Sequence, residues 1–277
     1  MSDSLNEPAI LYETQGPLAI VTLNRPDVRN AQNAQLLLDL DKAYRRAEAD
    51  DQVRVILLKA NGKHFSAGHD MSPQEYERYE REVRRGRPGI VPQMDWEREN
   101  YLELTWRWRN IPKPTIAVVQ GKCIAGGLML MWPCDLVVAS DDAEFSDPVV
   151  RMGIGGVEYH AHAWEMGARK AKEMLFTGRY MGAAEAERIG MVNQVVPREE
   201  LDAKAVELAT RIAQMDPFGL RMAKASVNRT LDTMGQWTAM TAIFDLHHMA
   251  HAQSQILHAG NVVGGLDVAA MKKANAA

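Results

Sequence analysis

The stretch PKPTIAVVQGKCIAGGLMLMWPCDLVVAS, residues 112–140, contains most of what the sequence indicates about the fold. Its apolar run at residues 115–120 is bounded by proline and glycine, which is typical of a strand buried on both faces. Gly126 and Gly127 then open a short apolar segment that predicts a helix, and residues 136–139 predict another strand. A strand, a glycine-rich turn, a helix and a second strand in this order predict an α/β unit.

Similar signals extend on both sides of this stretch. Residues 9–13 and 18–23 flank a Gly-Pro turn and predict a hairpin. Apolar residues recur at helical spacing over residues 33–50. After the last strand signals the chain reads as amphipathic helices with almost no further strand pattern. We therefore predict an α/β core over residues 1–200 and a helical region over residues 201–277.

Composition is typical of an ordinary globular protein. The 277 residues are 46% hydrophobic and 25% charged, with a net charge of −4. A weakly acidic chain lacks the basic field of a general nucleic-acid-binding protein, and no apolar stretch approaches the roughly 20 residues that span a membrane. The N-terminus lacks a signal-peptide pattern, and the two cysteines, Cys123 and Cys134, make no disulfide framework. We expect a cytoplasmic protein that binds neither nucleic acid nor a membrane.

Two glycine-bearing loops each follow a predicted buried strand. They are FSAGHD at residues 65–70 and IAGGL at residues 124–128. Glycine removes the Cβ that would keep a ligand from the backbone, and a helix that begins at Gly126 leaves its first N–H groups unpaired. Two such N–H groups that converge on one point form an oxyanion hole. Each loop taken alone is better explained as a tight strand-to-helix turn, because glycine-rich turns are common.

Five motifs in order make the pattern specific. They are LNRPDVRNA (23–31), GKHFSAGHDM (62–71), the stretch at 112–140, AEFSDPVVRMGI (143–154) and FTGRYMGAAEAERIGMVNQVVP (176–197). Over roughly residues 10–250 the chain resembles the crotonase superfamily, which includes enoyl-CoA hydratases and isomerases. The resemblance implies an α/β fold with a crotonase-type ββα spiral core and a C-terminal helical oligomerisation region. It also implies an acyl-CoA thioester as ligand and assembly into a homotrimer or hexamer.

The resemblance also assigns positions to the ligand. The N–H groups of His69 and Gly126 would form the oxyanion hole, with the imidazole of His69 taking no part. The residues that would border coenzyme A are Arg29, Lys63, Ala67, Asp70 and Met71. For the two basic residues among them, a solvated surface charge is an equally good interpretation.

The usual acid and base of this family are missing from the sequence. The positions at which its hydratases carry two glutamates are Met129 and Val149 here, and neither side chain transfers a proton. Both would instead line the acyl pocket. A positioned acid or base contributes roughly 10²–10⁴-fold to a rate, so ordinary hydratase activity should be weak unless other groups substitute. A non-catalytic acyl-CoA-binding protein is therefore the alternative to an enzyme.

Family members without these glutamates often carry a working group in the loop after the next strand. Glu158 is the leading candidate there, followed by Tyr159 and His160. The alternative for Glu158 is a carboxylate at a helix N-terminus. Asp147 is a weaker candidate, with a turn residue at a strand end as its alternative.

Two further segments stay open. Residues 72–110 predict helix, irregular centre and helix, either as a solvated surface or as a lid that shapes the acyl pocket. His247 and His251 are four residues apart on a predicted helix, but the sequence offers no evident third ligand. We therefore predict no metal site and no cofactor beyond the coenzyme A of the substrate.

Overall fold

The computed structural model describes residues 8–258 and contains two sheets. The strands are β1 (Ile10–Gln15), β2 (Leu18–Leu23), β3 (Val55–Ala60), β4 (Thr115–Val119), β5 (Lys122–Ile124), β6 (Leu136–Ser140), β7 (Glu144–Ser146), β8 (Met181–Gly182) and β9 (Gln194–Val196). The larger sheet has the order β1-β2-β3-β4-β6-β9, and the smaller one β5-β7-β8. Only the β1–β2 hairpin of the larger sheet is antiparallel within the described chain. The predicted hairpin and α/β class are confirmed.

Helices follow the strands and cover the sheet. They are α1 (Ala34–Ala49), α2 (Pro73–Tyr79), α3 (Val91–Glu97), α4 (Leu104–Arg109), α5 (Gly126–Met131), α6 (His162–Thr177), α7 (Ala183–Arg188), α8 (Leu201–Ala213), α9 (Pro217–Thr233) and α10 (Gln236–Leu257). α1 begins where predicted, because the Asn33 side chain accepts a hydrogen bond from the Leu36 N–H. Between residues 8 and 258 no helix is both long and apolar enough to cross a membrane.

The core lies on both faces of the larger sheet. One face packs against α8 through Leu201, Ala205 and Ala209, which contact apolar residues of β2, β3, β4 and β6. The other face packs against α1 and α5 in a larger apolar cluster. Such two-faced burial explains the continuous apolar runs of the parallel strands. α8 therefore belongs to the layer that covers the sheet.

The C-terminal part is helical as predicted and contains α8, α9 and α10 in the described chain. α9 has no buried residue, and together with α10 it exposes several large apolar side chains: Phe218, Val227, Met234, Leu246, Met249 and Ile256. The end of the predicted helical region, residues 259–277, lies outside the described residues; its glycines and small residues predict a loosely docked tail.

The segment at 72–110 has the predicted helix, irregular centre and helix. α2 continues as a π-helix over Glu80–Arg84, residues 85–90 are non-helical, and α3, the π-helix Arg98–Glu103 and α4 run on to residue 109. Its second half is not a solvated surface, because Tyr101, Leu102 and Trp108 are buried in the core. The segment therefore covers the interior on the side of the glycine loops.

Candidate active site

The two glycine loops meet directly. Gly68 has a φ of +90°, and a Cβ there would lie 2.9 Å from the Ile124 carbonyl oxygen and 3.2 Å from the Gly126 nitrogen. The loop at 65–70 is held in place by a bridge between Ser66 and Cys123, the middle residue of β5. Glycine is needed at position 68 because both the positive φ and the close backbone approach exclude a side chain.

Each loop supplies one unpaired N–H group. The backbone N–H of Gln32 donates to the Gly68 carbonyl oxygen at 2.8 Å, and the backbone carbonyl oxygen of Gln32 accepts from the Asp70 N–H at 2.9 Å. In such a parallel bridge the residue between the two bonded ones, His69, points its N–H away from Gln32. Gly126 is the first residue of α5, and its N–H has no partner in the helix. Within residues 8–258 neither N–H donates a hydrogen bond. The backbone thus offers two N–H donors next to the point where Gly68 approaches Gly126, and an oxyanion hole requires two such donors.

The His69 imidazole also faces this place. It stacks on Tyr101 with ring centroids 4.4 Å apart and planes 3° from parallel. A Cβ on Gly126 would lie 2.7 Å from its Cδ2 and Nε2 atoms. The resemblance implied a role for the backbone of His69 alone, but the structure also places its side chain at the site. Tyr101 was missed because nothing in its own segment indicates that it reaches a loop thirty residues earlier.

Glu158 lies at the same place and is almost fully buried, with 3% of its surface exposed. Its Oε2 is 3.7 Å from His69 Nε2, and its Oε1 is 3.5 Å from His247 Nε2. Both distances exceed a normal hydrogen bond, and among the described residues Oε2 has no hydrogen-bond partner. The helix-capping alternative does not hold, because α6 begins at His162 without a side-chain cap. Oε2 is therefore available to a ligand, while Oε1 faces His247.

A buried pair holds the loop that carries Glu158. Asp147 Oδ2 accepts from the Val157 N–H at 3.0 Å and contacts His162 Nε2 at 2.8 Å, and both side chains are fully buried. Burial alone would raise the pKa of Asp147, but the hydrogen bonds from His162 and Val157 lower it. Asp147 therefore acts as a framework residue that positions the loop.

Comparison with known proteins identifies the family. The family model described as Enoyl-CoA hydratase/isomerase matches residues 13–260. This chain belongs to the enoyl-CoA hydratase/isomerase family. EchA13 of Mycobacterium tuberculosis, provisionally named an enoyl-CoA hydratase, is 44% identical over 92% of this chain and 83% of its own.

Solved structures of this family superpose closely on the chain. A probable enoyl-CoA hydratase from Mycobacterium smegmatis has a TM-score of 0.86 and 53% identity, covering 94% of this chain and 99% of its own. An enoyl-CoA hydratase/isomerase from Xanthobacter autotrophicus Py2 has a TM-score of 0.80 and 33% identity, covering 88% and 87%. The crotonase fold inferred from the five motifs is thereby confirmed.

Other predicted positions of this family member divide into two groups. Met129 and Val149 are buried, at 1% and 6% exposure, and are apolar. Tyr159 is buried, and burial raises its pKa; the charges that act on it include Glu165 and Arg109. In the described chain a contact with the glycine loops is found for Glu158, through His69, and not for Tyr159.

His160 lines a cavity of about 500 Å³ between its own loop and α10. Its pKa is lowered to about 4, first by burial and then by the neighbouring His162. The imidazole is therefore uncharged at neutral pH. The lining of this cavity includes neither His69 nor Gly126, so His160 stands apart from the oxyanion donors.

Basic side chains surround His64 at the entrance of the first loop. The pKa of His64 is lowered by burial and by the charges of Lys63, Arg29, Lys122 and Arg198. Arg29 and Lys63 are both exposed. Lys122 and Arg198 are paired with Glu144 and Asp142, so Arg29 and Lys63 are the charges that would attract an anion, next to the loop that carries the His69 N–H.

The remaining three predicted ligand contacts lie along the same loop. Asp70 forms an ion pair with Arg25 at 3.0 Å and accepts from the Ser72 N–H at 3.0 Å. Ala67 is partly buried, and Met71 is 53% exposed. Asp70 thus fixes the loop, whereas Met71 remains open to a ligand.

A second polar cluster adjoins Glu158. His247 Nε2 lies 3.7 Å from Glu97 Oε2, and His248 Nε2 lies 2.9 Å from the same oxygen. His251 Nε2 lies 2.9 Å from His247 Nε2. Burial lowers the pKa of His247, but Glu158 and Glu97 outweigh it and raise the pKa to about 9. Burial raises the pKa of Glu97, but the neighbouring histidines lower it by more, so the pKa lies below its usual value. The sequence showed the histidine spacing but not the carboxylate that faces it.

Proposed function

We propose that this family member binds an acyl-CoA thioester and catalyses a reaction through its enolate. The His69 and Gly126 N–H groups bind the thioester oxygen, and Glu158 transfers the proton at the α-carbon. The observation that carries the proposal is the buried Glu158 Oε2, which has no hydrogen-bond partner in the described chain and lies 3.7 Å from His69 Nε2.

The chemistry follows from this arrangement. When the α-carbon loses a proton to Glu158, negative charge moves onto the thioester oxygen, where two preformed N–H donors stabilise it. Removing one such donor typically costs about 10²–10³-fold in rate. In a decarboxylation the enolate forms instead by loss of carbon dioxide, and protonated Glu158 supplies the proton to the α-carbon. C–C bond hydrolysis also passes through an enolate, but it requires activation of water in addition to protonation of the α-carbon, so Glu158 alone supports it less well than decarboxylation.

Ordinary hydration is less well supported. It needs one group to activate water and another to protonate the α-carbon, and Met129 and Val149 can do neither. The same two residues favour the alternative, a protein that binds acyl-CoA without turning it over. Glu158 favours catalysis, because its Oε1 is paired with His247 but its buried Oε2 has no hydrogen-bond partner in the described chain, and an unsatisfied buried oxygen is costly.

The proposal also covers the oligomeric state of the protein, its contacts with coenzyme A and its location in the cell. The exposed apolar side chains of α9 and α10 support burial in a homotrimer or a hexamer, which sedimentation equilibrium distinguishes from a monomer. The basic surface around His64 would hold the phosphates of coenzyme A. We propose that the protein acts in the cytoplasm on a free acyl-CoA and uses no organic cofactor beyond the coenzyme A of the substrate.

The test is α-proton exchange in heavy water on a panel of saturated, unsaturated and carboxylated acyl-CoAs. We expect the wild-type protein to exchange or turn over at least one of them, and Glu158→Gln to lose at least 10²-fold. Glu187→Gln, which alters an exposed glutamate far along the chain, is the matched control and should keep full activity. Tight acyl-CoA binding without exchange or turnover in wild type would leave the binding protein instead.

A further inference from the structure

Three buried side chains beside Glu158 turn their donor atoms toward one another. They are Glu97 at the end of α3 and His247 and His251 on α10. One ligand atom from each lies within 4.8 Å of the other two. The Nε2 atoms of the two histidines are 2.9 Å apart, and His247 Nε2 is 3.7 Å from Glu97 Oε2. Atoms at these separations surround a point about 2 Å from each, which is the length of a bond to a transition metal.

The outer contacts of this cluster orient the donor atoms inward. His247 Nδ1 is 2.9 Å from the Gly156 carbonyl oxygen, to which it must donate, and this leaves Nε2 as the inward-facing nitrogen. Glu97 Oε1 accepts from Gln93 Nε2 at 2.7 Å, which leaves Oε2 facing the histidines. A backbone carbonyl behind a histidine and a hydrogen bond behind a carboxylate are the usual supports of metal ligands.

Charge in the cluster also favours a cation. Two buried carboxylates, Glu97 and Glu158, lie within 3.7 Å of the same nitrogen, His247 Nε2. Glu97 Oε2 has no hydrogen bond among the described residues, although His248 Nε2 is 2.9 Å away. Buried carboxylates are stable only when paired or bound to metal. His247 and His248 pair with them here, and a metal ion would add a stronger positive charge at the same place.

We propose that Glu97, His247 and His251 bind a divalent first-row transition metal ion, with Zn²⁺ as the best match. Two imidazoles and one carboxylate form a ligand set that suits Zn²⁺, whereas Mg²⁺ and Ca²⁺ prefer oxygen ligands alone. The i,i+4 spacing on α10 places both nitrogens on one helix face. Glu158 Oε1 lies 3.5 Å from His247 Nε2, next to these three ligands.

The place of the cluster suggests the effect of a bound ion. His247 also lines the 500 Å³ cavity, together with Gly156 and residues of α10. Binding would join α3, in the covering segment at 72–110, to α10. The site is independent of the proposed reaction, because a protein that only binds acyl-CoA would retain the same three ligands.

The test measures the ion directly on untagged full-length protein stripped with a chelator. We expect calorimetric titration with ZnCl₂ to show one tight site per chain. Co²⁺ should give visible absorption bands at the same stoichiometry. His251→Gln and Glu97→Gln should each weaken Zn²⁺ binding at least 100-fold, whereas the exposed His258→Gln should bind like wild type. At 100 times the dissociation constant, Zn²⁺ should raise the melting temperature of wild type by about 5–10 °C.

Several outcomes would overturn the site. One is that wild type binds Zn²⁺ no more tightly than His251→Gln or Glu97→Gln. For this comparison at least one of the two variants must be folded, which cooperative thermal unfolding without metal shows. Another is the absence of Co²⁺ bands in the wild-type protein. Glu158→Gln separates this inference from the proposed function, because it should lose α-proton exchange yet still bind Zn²⁺.

Discussion

Replacing Gly126 by alanine tests the oxyanion loops at their tightest contact. The new Cβ would lie 2.7 Å from His69 Cδ2 and Nε2 and 3.2 Å from Gln32 Oε1. Ordinary carbon contacts are about 3.5–4.0 Å, so the imidazole or the start of α5 must move by roughly 1 Å. Since His69 stacks on the buried Tyr101, the imidazole has little room to retreat.

A displacement of this size has a predictable effect. A hydrogen bond from the Gly126 N–H to the thioester oxygen would stretch beyond useful length, which should cost about 10²–10³-fold in kcat. The strain should lower the free energy of unfolding by about 1–3 kcal/mol, partly offset by about 0.5–1 kcal/mol from the better helix propensity of alanine. KM should change less than kcat, because the contacts to coenzyme A are elsewhere.

The measurement is steady-state kinetics on the best substrate of the acyl-CoA panel, with urea denaturation of the same preparations. Gly182→Ala is the matched control, because a Cβ there meets nothing within 4 Å and its φ of −74° suits alanine. Wild-type kcat together with wild-type stability in Gly126→Ala would refute the close approach of the two loops and, with it, the assignment of Gly126 as a donor.

Two further predictions concern carboxylates whose surroundings shift their pKa. Burial raises the pKa of Glu165 to about 7, so the folded state holds a proton that the unfolded state releases, and stability should fall as pH rises from about 4.5 to 7. Because Glu165 is partly exposed, we discount the effect and expect a loss of about 1–2 kcal/mol in the free energy of unfolding. Urea denaturation at pH 5 and pH 8 measures this loss, and Glu165→Gln should abolish it. An equal change in stability between the two pH values in wild type and Glu165→Gln would contradict the prediction. Asp147→Ala should lower the free energy of unfolding by about 3–5 kcal/mol because it leaves His162 and the Val157 N–H buried without their partner, and a loss under about 1 kcal/mol would show that the pair is not structural.

Local patterns predicted the elements well for physical reasons. A buried parallel strand needs apolar residues on both faces, and an amphipathic helix needs them every three or four residues, so β4 and α1 could be identified from their own segments. Asn33 marked the start of α1 because its side chain satisfies an N–H that the helix cannot. These requirements act within a few residues and are therefore visible in the sequence.

The site was only partly predictable because its contacts join distant segments. Glycine marked the oxyanion loops, since the backbone approach of Gly68 to Gly126 requires it locally. The position of Glu158 in a loop after a strand was visible through the resemblance, but its burial was not. The contact of Glu97 with His247 joins helices about 150 residues apart, and no local preference of either residue indicates such a pair.

The division between backbone and side-chain chemistry explains how one fold can carry different reactions. The proposed oxyanion donors are N–H groups, whose positions depend on Gly68 and Gly126 but not on a functional side chain. The proton-transferring group must be a side chain, and it can therefore be lost at Met129 and Val149 and supplied by Glu158 without disturbing the donors. Because Glu158 also adjoins the cluster on α10, a change there can alter the reaction while acyl-CoA binding persists. Glu158 is thus the position at which substitution should separate binding from chemistry most cleanly.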